Sequence, residues 1–243
     1  MPVESDVFGF AVFDWVGGSR TFEVLERDDG YSQIGAGPNV YLSKFRNWPL
    51  AERRAIRYLN GRVLDVGCGA GRVALDVQSR GIDVVGLEVS PLAMKAARLR
   101  GVKKLLMMPF EDLDHRVAEF ESIVLFGNNF GLFEDPNRAR KALMKMCEHA
   151  NPGTRIFAES TSGYFGGAPA LDRTLYRQNL ARGTSPGQVK LRYHYKDLVG
   201  PWFRWLYVSQ REMQSIVVGS GWRLERVLQG GLSDPYVAIL IKD

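Results

Sequence analysis

The residues of this chain best suited to chemistry are two carboxylates on either side of a glycine-rich turn. The stretch Val63-Leu64-Asp65-Val66-Gly67-Cys68-Gly69-Ala70-Gly71-Arg72 reads as a buried strand, a turn and the first turn of a helix. Val63, Leu64 and Val66 suit a parallel strand covered on both faces. The glycines remove the Cβ where the backbone turns sharply and where a ligand must come close. The helix that follows points free N–H groups and the positive end of its dipole at that ligand. A dinucleotide site wants G-x-G-x-x-G; here the spacing is G-x-G-x-G, and Arg72 stands where the last glycine would be. Asp65, two residues before the first glycine, would repel a pyrophosphate but suits an ammonium or a water bridging to one. These residues therefore favour a cationic cofactor. Glu88 ends the next apolar run, 21 residues after Gly67, close to the roughly 20-residue spacing at which a strand-tip carboxylate takes a ribose diol. Its two acceptor oxygens match two adjacent hydroxyls. The alternatives are a tight turn that holds nothing and a solvated acid at a strand end.

The segment around Gly67 resembles motif I of the class I S-adenosylmethionine-dependent methyltransferases, and the likeness extends over roughly residues 40–243. The resemblance implies S-adenosyl-L-methionine as cofactor and S-adenosyl-L-homocysteine as product. It places Asp65, Gly67, Cys68 and Gly69 around the cofactor, with Glu88 and Val89 at its ribose. Phe110 and Glu111 would border the adenine, although Pro109 occupies the position where the family commonly has an Asp. Phe126, the last residue of the fourth strand, and Gly127 after it would also contact the cofactor. The polar loop after them, Asn128 and Asn129, should face the methyl donor at the sheet's switch point; turn chemistry explains the same two residues equally well. Tyr41, in the segment that often covers the cofactor, would line the substrate side or pack in the core. The implied activity is methyl transfer to a small-molecule nucleophile. An RNA methyltransferase and a non-catalytic S-adenosylmethionine-binding regulatory protein are the rival readings.

These residues need a frame to hold them. From Arg62 onward strand and helix patterns alternate, which predicts an α/β fold. The expected architecture is a doubly wound, mostly parallel seven-stranded sheet with helices on both faces. Strands are expected at about 103–108, 122–126 and 155–159. Helix starts are marked by Ser90-Pro91, by Asp135-Pro136 and by the capping box Ser209-Gln210-Arg211-Glu212. The closing strands, 222–228 and 236–241, would form an antiparallel hairpin. Residues 1–35 read as an N-terminal β-hairpin extension: Phe8, Phe10 and Val12 alternate, Gly17-Gly18 turns, and residues 21–25 return. Residues 160–208 lie between the fifth strand and the last helix and read as an insertion. It begins with a loop over 160–167, then a short helix over 171–181. A strand over 188–195 follows, and 202–208 would pair back with it.

In the resembling family such an insertion serves as a substrate lid, which would put Arg192 and Arg204 at the substrate. His194 is the candidate general base; His115 and His149 fall near helix ends and read as structural. Arg192 and His194 also fit an ordinary solvated strand face. No His/Cys/Asp cluster has metal-ligand spacing, so no metal is expected. The 243 residues are expected to form a single domain.

Composition bounds the remaining possibilities. Hydrophobic residues are 45% and charged residues 24% of the chain, ordinary for a globular protein. The net charge of +5 permits contact with nucleic acid, but the basic residues are scattered and no appended RNA-binding motif is present, so nucleic acid is not favoured. The two cysteines, Cys68 and Cys147, form no C-x-x-C pair, which points to a reducing compartment. The acidic start lacks a secretory n-region, and no apolar run approaches a membrane span. A cytoplasmic protein is expected, either monomer or homodimer.

Overall fold

In the computed structural model, residues 5–113, 115–162, 172–231 and 234–243 are described. In chain order the elements are α1 (Val7–Val16), β1 (Val24–Arg27), β2 (Ser32–Ile34), α2 (Gly37–Tyr41), α3 (Leu50–Ala55), β3 (Val63–Val66), α4 (Arg72–Ser79), β4 (Val84–Glu88), α5 (Pro91–Leu99), β5 (Leu105–Met107), β6 (Ser122–Leu125), α6 (Pro136–His149), β7 (Arg155–Ser160), α7 (Arg173–Ala181), β8 (Gln188–Tyr195), β9 (Leu198–Val199), β10 (Phe203–Leu206), α8 (Gln210–Val217), β11 (Trp222–Gln229) and β12 (Tyr236–Lys242).

The expected seven-stranded sheet is present, in the order β11-β12-β7-β6-β3-β4-β5. β4 pairs with β5 and β6 with β7 in parallel, while β12 runs antiparallel to both β7 and β11. β3, β4 and β6 are buried along their whole length, as strands covered on both faces should be. By its internal contacts the chain forms two compact units interleaved in sequence. One holds the residues up to Trp48 with Leu64–Phe110 and Lys190–Phe203; the other holds Pro49–Val63, Glu111–Val189 and Arg204–Asp243.

In the first unit, the N-terminal segment departs from the expected hairpin. Residues 7–16 are a helix, not the strand that the alternation of Phe8, Phe10 and Val12 suggests. Asp6 caps it, accepting a hydrogen bond from the Gly9 N–H at 3.0 Å. Besides Gly9, the residues it buries are Val7, Ala11, Val12 and Trp15, an i, i+4, i+5, i+8 stripe of helical period. Alternation over three residues is too short to exclude a helix. The hairpin that does exist lies further on, β1 against β2 around Asp28-Asp29-Gly30.

The strand expected at 188–195 is β8, and it pairs antiparallel with β1, Val24 opposite His194 and Arg27 opposite Leu191. Extension and insertion thus share a second sheet, in the order β10-β8-β1-β2 with β9 on β8. Of the remaining expectations for the insertion, residues 163–167 of the loop and Leu171 of the helix lie outside the described residues. So do residues 1–4 of the acidic start.

In the second unit, Asp135 caps α6 by accepting from the Asn137 and Arg138 N–H groups at 2.9 Å. The capping box of α8 is formed in both directions between Ser209 and Glu212. Trp222 anchors β11 by donating from its indole to the Leu143 carbonyl at 2.8 Å.

Candidate functional site

Three glycines form the turn after β3, all with left-handed backbone: Gly67 at φ 68°, Gly69 at 53° and Gly71 at 75°. Their uses differ. A Cβ on Gly71 would lie 2.3 Å from Val102 Cγ2, so that glycine lets the turn pack. A Cβ on Gly69 would meet nothing within 4 Å; here the glycine serves conformation and leaves open space beside the backbone. The turn is fastened to the adjacent strand, because the Gly67 and Cys68 N–H groups both donate to the Leu87 carbonyl, at 2.9 and 3.0 Å.

Asp65 is buried, and its Oδ2 accepts from the Ala74 N–H at 3.0 Å. The N-cap of α4 is Gly71, which has no side chain to offer. Asp65 therefore supplies the cap from the strand, satisfying one of the helix's unpaired donors. Cys68 is also buried, and burial, together with the charges of Asp65 and Glu88, pushes its thiol well above the usual range. It stays a neutral thiol.

Glu88 is 7% exposed. Its Oε2 accepts from the Gly69 N–H at 2.9 Å and its Oε1 from the Val89 and Ser90 N–H groups at 2.8 and 3.0 Å. Burial raises its pKa above 4.5 against those three hydrogen bonds, and the nearby Asp6 charge raises it further. Val89, beside it, is an apolar side chain left 43% exposed. Phe110, the last residue of this stretch of the first unit, begins a short 3-10 turn over Phe110–Asp112.

Tyr41 lies within an aromatic cluster that sequence reasoning did not assemble. Its ring stacks on Trp15 with centroids 5.4 Å apart and meets Phe8 edge-on at 5.2 Å. Phe8 also packs against Tyr193, which stacks on Phe203, each at 5.2 Å. The Tyr193 phenol hydrogen-bonds Tyr41, and burial first, then the charges of Glu23 and Glu88, hold it far above the ordinary tyrosine range. Glu23 is itself fully buried and accepts from the Gly37 N–H at 3.2 Å. In the sequence Tyr193 stands only as one residue of the strand expected at 188–195; its nearness to the Glu88 charge is a tertiary relationship.

Arg192 and His194 both meet Glu26 on the neighbouring strand. Arg192 is bidentate, at 2.7 and 3.0 Å, and His194 Nε2 contacts the same Oε2 that accepts from Arg192 Nε. Arg192 also lies 4.5 Å over the Trp202 ring. The hydrogen bond from Arg192, then that from His194, holds the Glu26 carboxyl below its ordinary range.

The second unit gathers the residues that follow β6. Phe126 is buried, and Gly127 turns the chain at φ 75°. The Gly127 N–H is shared by two buried carboxylates, Glu52 Oε1 at 3.3 Å and Glu159 Oε2. Asn128 has φ 62° and accepts from Thr161 Oγ1 at 2.6 Å. Asn129 begins a 3-10 helix over Asn129–Phe133. Glu111 and Arg204 are exposed. The sequence does not single out Glu52 or Glu159, although an acid near the tip of a strand, as at Asp65 and Glu88, is a signal available for Glu159. Among the described residues, no group of three or more His, Cys, Asp or Glu is placed to hold a metal ion. No described helix is long and apolar enough to cross a membrane.

A family model for a methyltransferase domain matches residues 63–153. The chain is 25% identical over 200 residues to a ubiquinone biosynthesis O-methyltransferase of Xanthomonas oryzae pv. oryzae (strain PXO99A), covering 74% of this chain and 76% of that one. Its counterpart in Xylella fastidiosa (strain 9a5c) is 29% identical over 151 residues, 58% of this chain and 55% of the relative. Among solved structures, an S-adenosylmethionine-dependent methyltransferase from Bacteroides fragilis, in complex with S-adenosyl-L-homocysteine, superimposes with a TM-score of 0.81 at 22% identity. That match covers 100% of this chain and 98% of the other. A Methanosarcina mazei protein of the same description has a TM-score of 0.60 at 18% identity, over 78% of this chain and 96% of its own.

Proposed function

We propose that this chain, a class I S-adenosylmethionine-dependent methyltransferase, transfers the methyl group to a hydroxyl oxygen of a small molecule. The cofactor's sulfonium supplies an already activated methyl. The protein's work is then to orient the acceptor in line with it and keep water out. Asp65, Gly67, Cys68, Gly69, Glu88, Val89 and Phe110 are the residues proposed to hold the cofactor. One observation carries this: open space beside Gly69 next to the buried, ionisable Glu88. A ribose diol could take the two Glu88 oxygens, and the exposed Val89 side chain offers an apolar face to an adenine. The O-methyltransferase relatives support a small hydroxylated acceptor. His194, whose Nε2 contacts Glu26, is kept as the candidate general base.

Two measurements test this reading. Calorimetric titration with S-adenosyl-L-homocysteine should show micromolar binding that Glu88→Ala weakens. Incubation with methyl-labelled S-adenosylmethionine and a panel of phenols and catechols should move label into an organic-extractable product. Label recovered only in added RNA would overturn the small-molecule part while leaving the cofactor assignment standing.

A further inference from the structure

The first unit holds a cavity of about 350 Å3 that the glycine turn and Glu88 do not line. It is lined by Ser43 to Arg46 of the loop after α2, by Arg72, Leu75 and Asp76 of α4, and by Arg100. We infer that this cavity is a second binding site, for a phosphate or pyrophosphate group, built by Lys44, Arg46, Arg72 and Arg100.

Charge is the first observation. Four cationic side chains line the cavity, and the only acid among its lining residues is Asp76. That carboxylate is already engaged by Arg80 Nε at 2.7 Å, one helical turn along α4. The side chains of Lys44 and Arg46 have no ion-pair or hydrogen-bond partner among the described residues. Lys44 and Arg46 therefore bring two uncompensated positive charges to the cavity, and a concave wall concentrates such a field.

Arg100 is the second. It is partly buried, and among the described residues its hydrogen bonds go to neutral carbonyl oxygens, Ala70 O at 2.8 Å and Leu42 O at 3.5 Å. Burial lowers its pKa with no carboxylate opposing the shift. A guanidinium taken from water without a counter-charge is costly, and an anion in the cavity would offset that cost. A planar fork with donors to spare is also the group best matched to phosphate oxygens.

Rigidity is the third. Arg72 lies 4.6 Å over the Trp48 ring, and Arg80 lies 4.7 Å over Phe45. Phe45 and Trp48 meet edge-on at 5.5 Å. The loop carrying Lys44 and Arg46 is thereby held against α4, so its charges are placed before a ligand arrives. The volume is near the lower end of the roughly 300–1,000 Å3 found for small-ligand sites, enough for a phosphate with part of the molecule that carries it.

The test is calorimetry of the full chain with sodium pyrophosphate, with and without saturating S-adenosyl-L-homocysteine, beside the Lys44→Gln/Arg46→Gln double variant. Both side chains are exposed, and a thermal melt checks that the variant is folded. Expected are pyrophosphate binding that survives addition of S-adenosyl-L-homocysteine, a loss of at least tenfold in the variant, and unchanged affinity of the variant for S-adenosyl-L-homocysteine. A parallel arm titrates a short single-stranded RNA. If only the RNA binds, and the double variant loses it, the phosphate comes from a polynucleotide; if pyrophosphate binds, it comes from a free phosphorylated molecule. Binding of neither ligand, equal binding to the variant, or displacement of pyrophosphate by S-adenosyl-L-homocysteine overturns the proposal.

Discussion

The Ser90 hydroxyl donates to Asp6 Oδ2 at 2.6 Å, and the two residues are 2% and 0% exposed. The bond joins the caps of two helices. Asp6 caps α1, and Ser90 caps α5 by accepting from the Ala93 N–H at 2.9 Å. The Ser90 N–H in turn donates to Glu88 at 3.0 Å. A residue 82 positions upstream of Glu88 thus reaches the proposed cofactor carboxylate through one intermediate.

Asp6→Ala removes a cap and leaves a buried hydroxyl without its acceptor. A lost cap costs about 1 kcal/mol, and an orphaned buried donor roughly 1–3 kcal/mol more. Urea denaturation should show a loss of about 2–4 kcal/mol. A loss below half a kcal/mol would mean that α1 is not held through this residue.

In the proposed site Glu88 would hold the ribose as a carboxylate, and its pKa is raised above 4.5 by burial. Affinity for S-adenosyl-L-homocysteine should therefore fall on acidification with a midpoint above 4.5. The linkage to stability has the opposite sense. A raised folded-state pKa gives a stabilising contribution that is complete below the unfolded value and is lost as pH rises through the folded value. Glu88→Gln should weaken binding by about 1–3 kcal/mol and remove the pH dependence together with it. A midpoint below 4.5, or a pH profile that survives in the variant, would assign the titration to another group.

Gly69→Ala and Gly71→Ala separate two demands on the same turn. Both place a side chain at positive φ, which costs roughly 1–2 kcal/mol. Only Gly71→Ala also drives a Cβ into Val102. It should be the more destabilising of the two in a thermal melt, and Val102→Ala added to it should restore part of the loss. Gly69→Ala should stay folded and lose cofactor affinity.

Tyr193 and Tyr236 are held protonated chiefly by burial. Alkaline titration followed by tyrosinate absorbance should show both ionising late, coincident with unfolding by circular dichroism. In Tyr193→Phe the late step should shrink by one tyrosine, with a stability loss of about 1 kcal/mol for the bond to Tyr41. A Tyr193 that ionises near 10.0 in the folded chain would contradict its burial among Phe8, Tyr41 and Phe203.

What could be read along the chain was what short stretches determine. The strand, glycine turn and helix around Gly67, the Ser90, Asp135 and Ser209 caps, and the span of β8 all follow from hydrogen-bond and side-chain preferences over a few residues. Glu88 was found by its distance along the chain, because one βα crossover sets that distance. Tertiary structure decided the rest. Residues 7–16 became a helix because α1 packs Val7, Ala11, Val12 and Trp15 against Ala93 and Ala96 of α5, a surface that does not exist locally. Asp65 became the cap of α4, since only the folded turn brings the Ala74 N–H to it. Arg192 and His194 meet Glu26, 166 and 168 residues away in sequence, because β8 pairs with β1. Cross-strand pairing and burial join residues regardless of their separation along the chain, and no local pattern in the sequence records that choice.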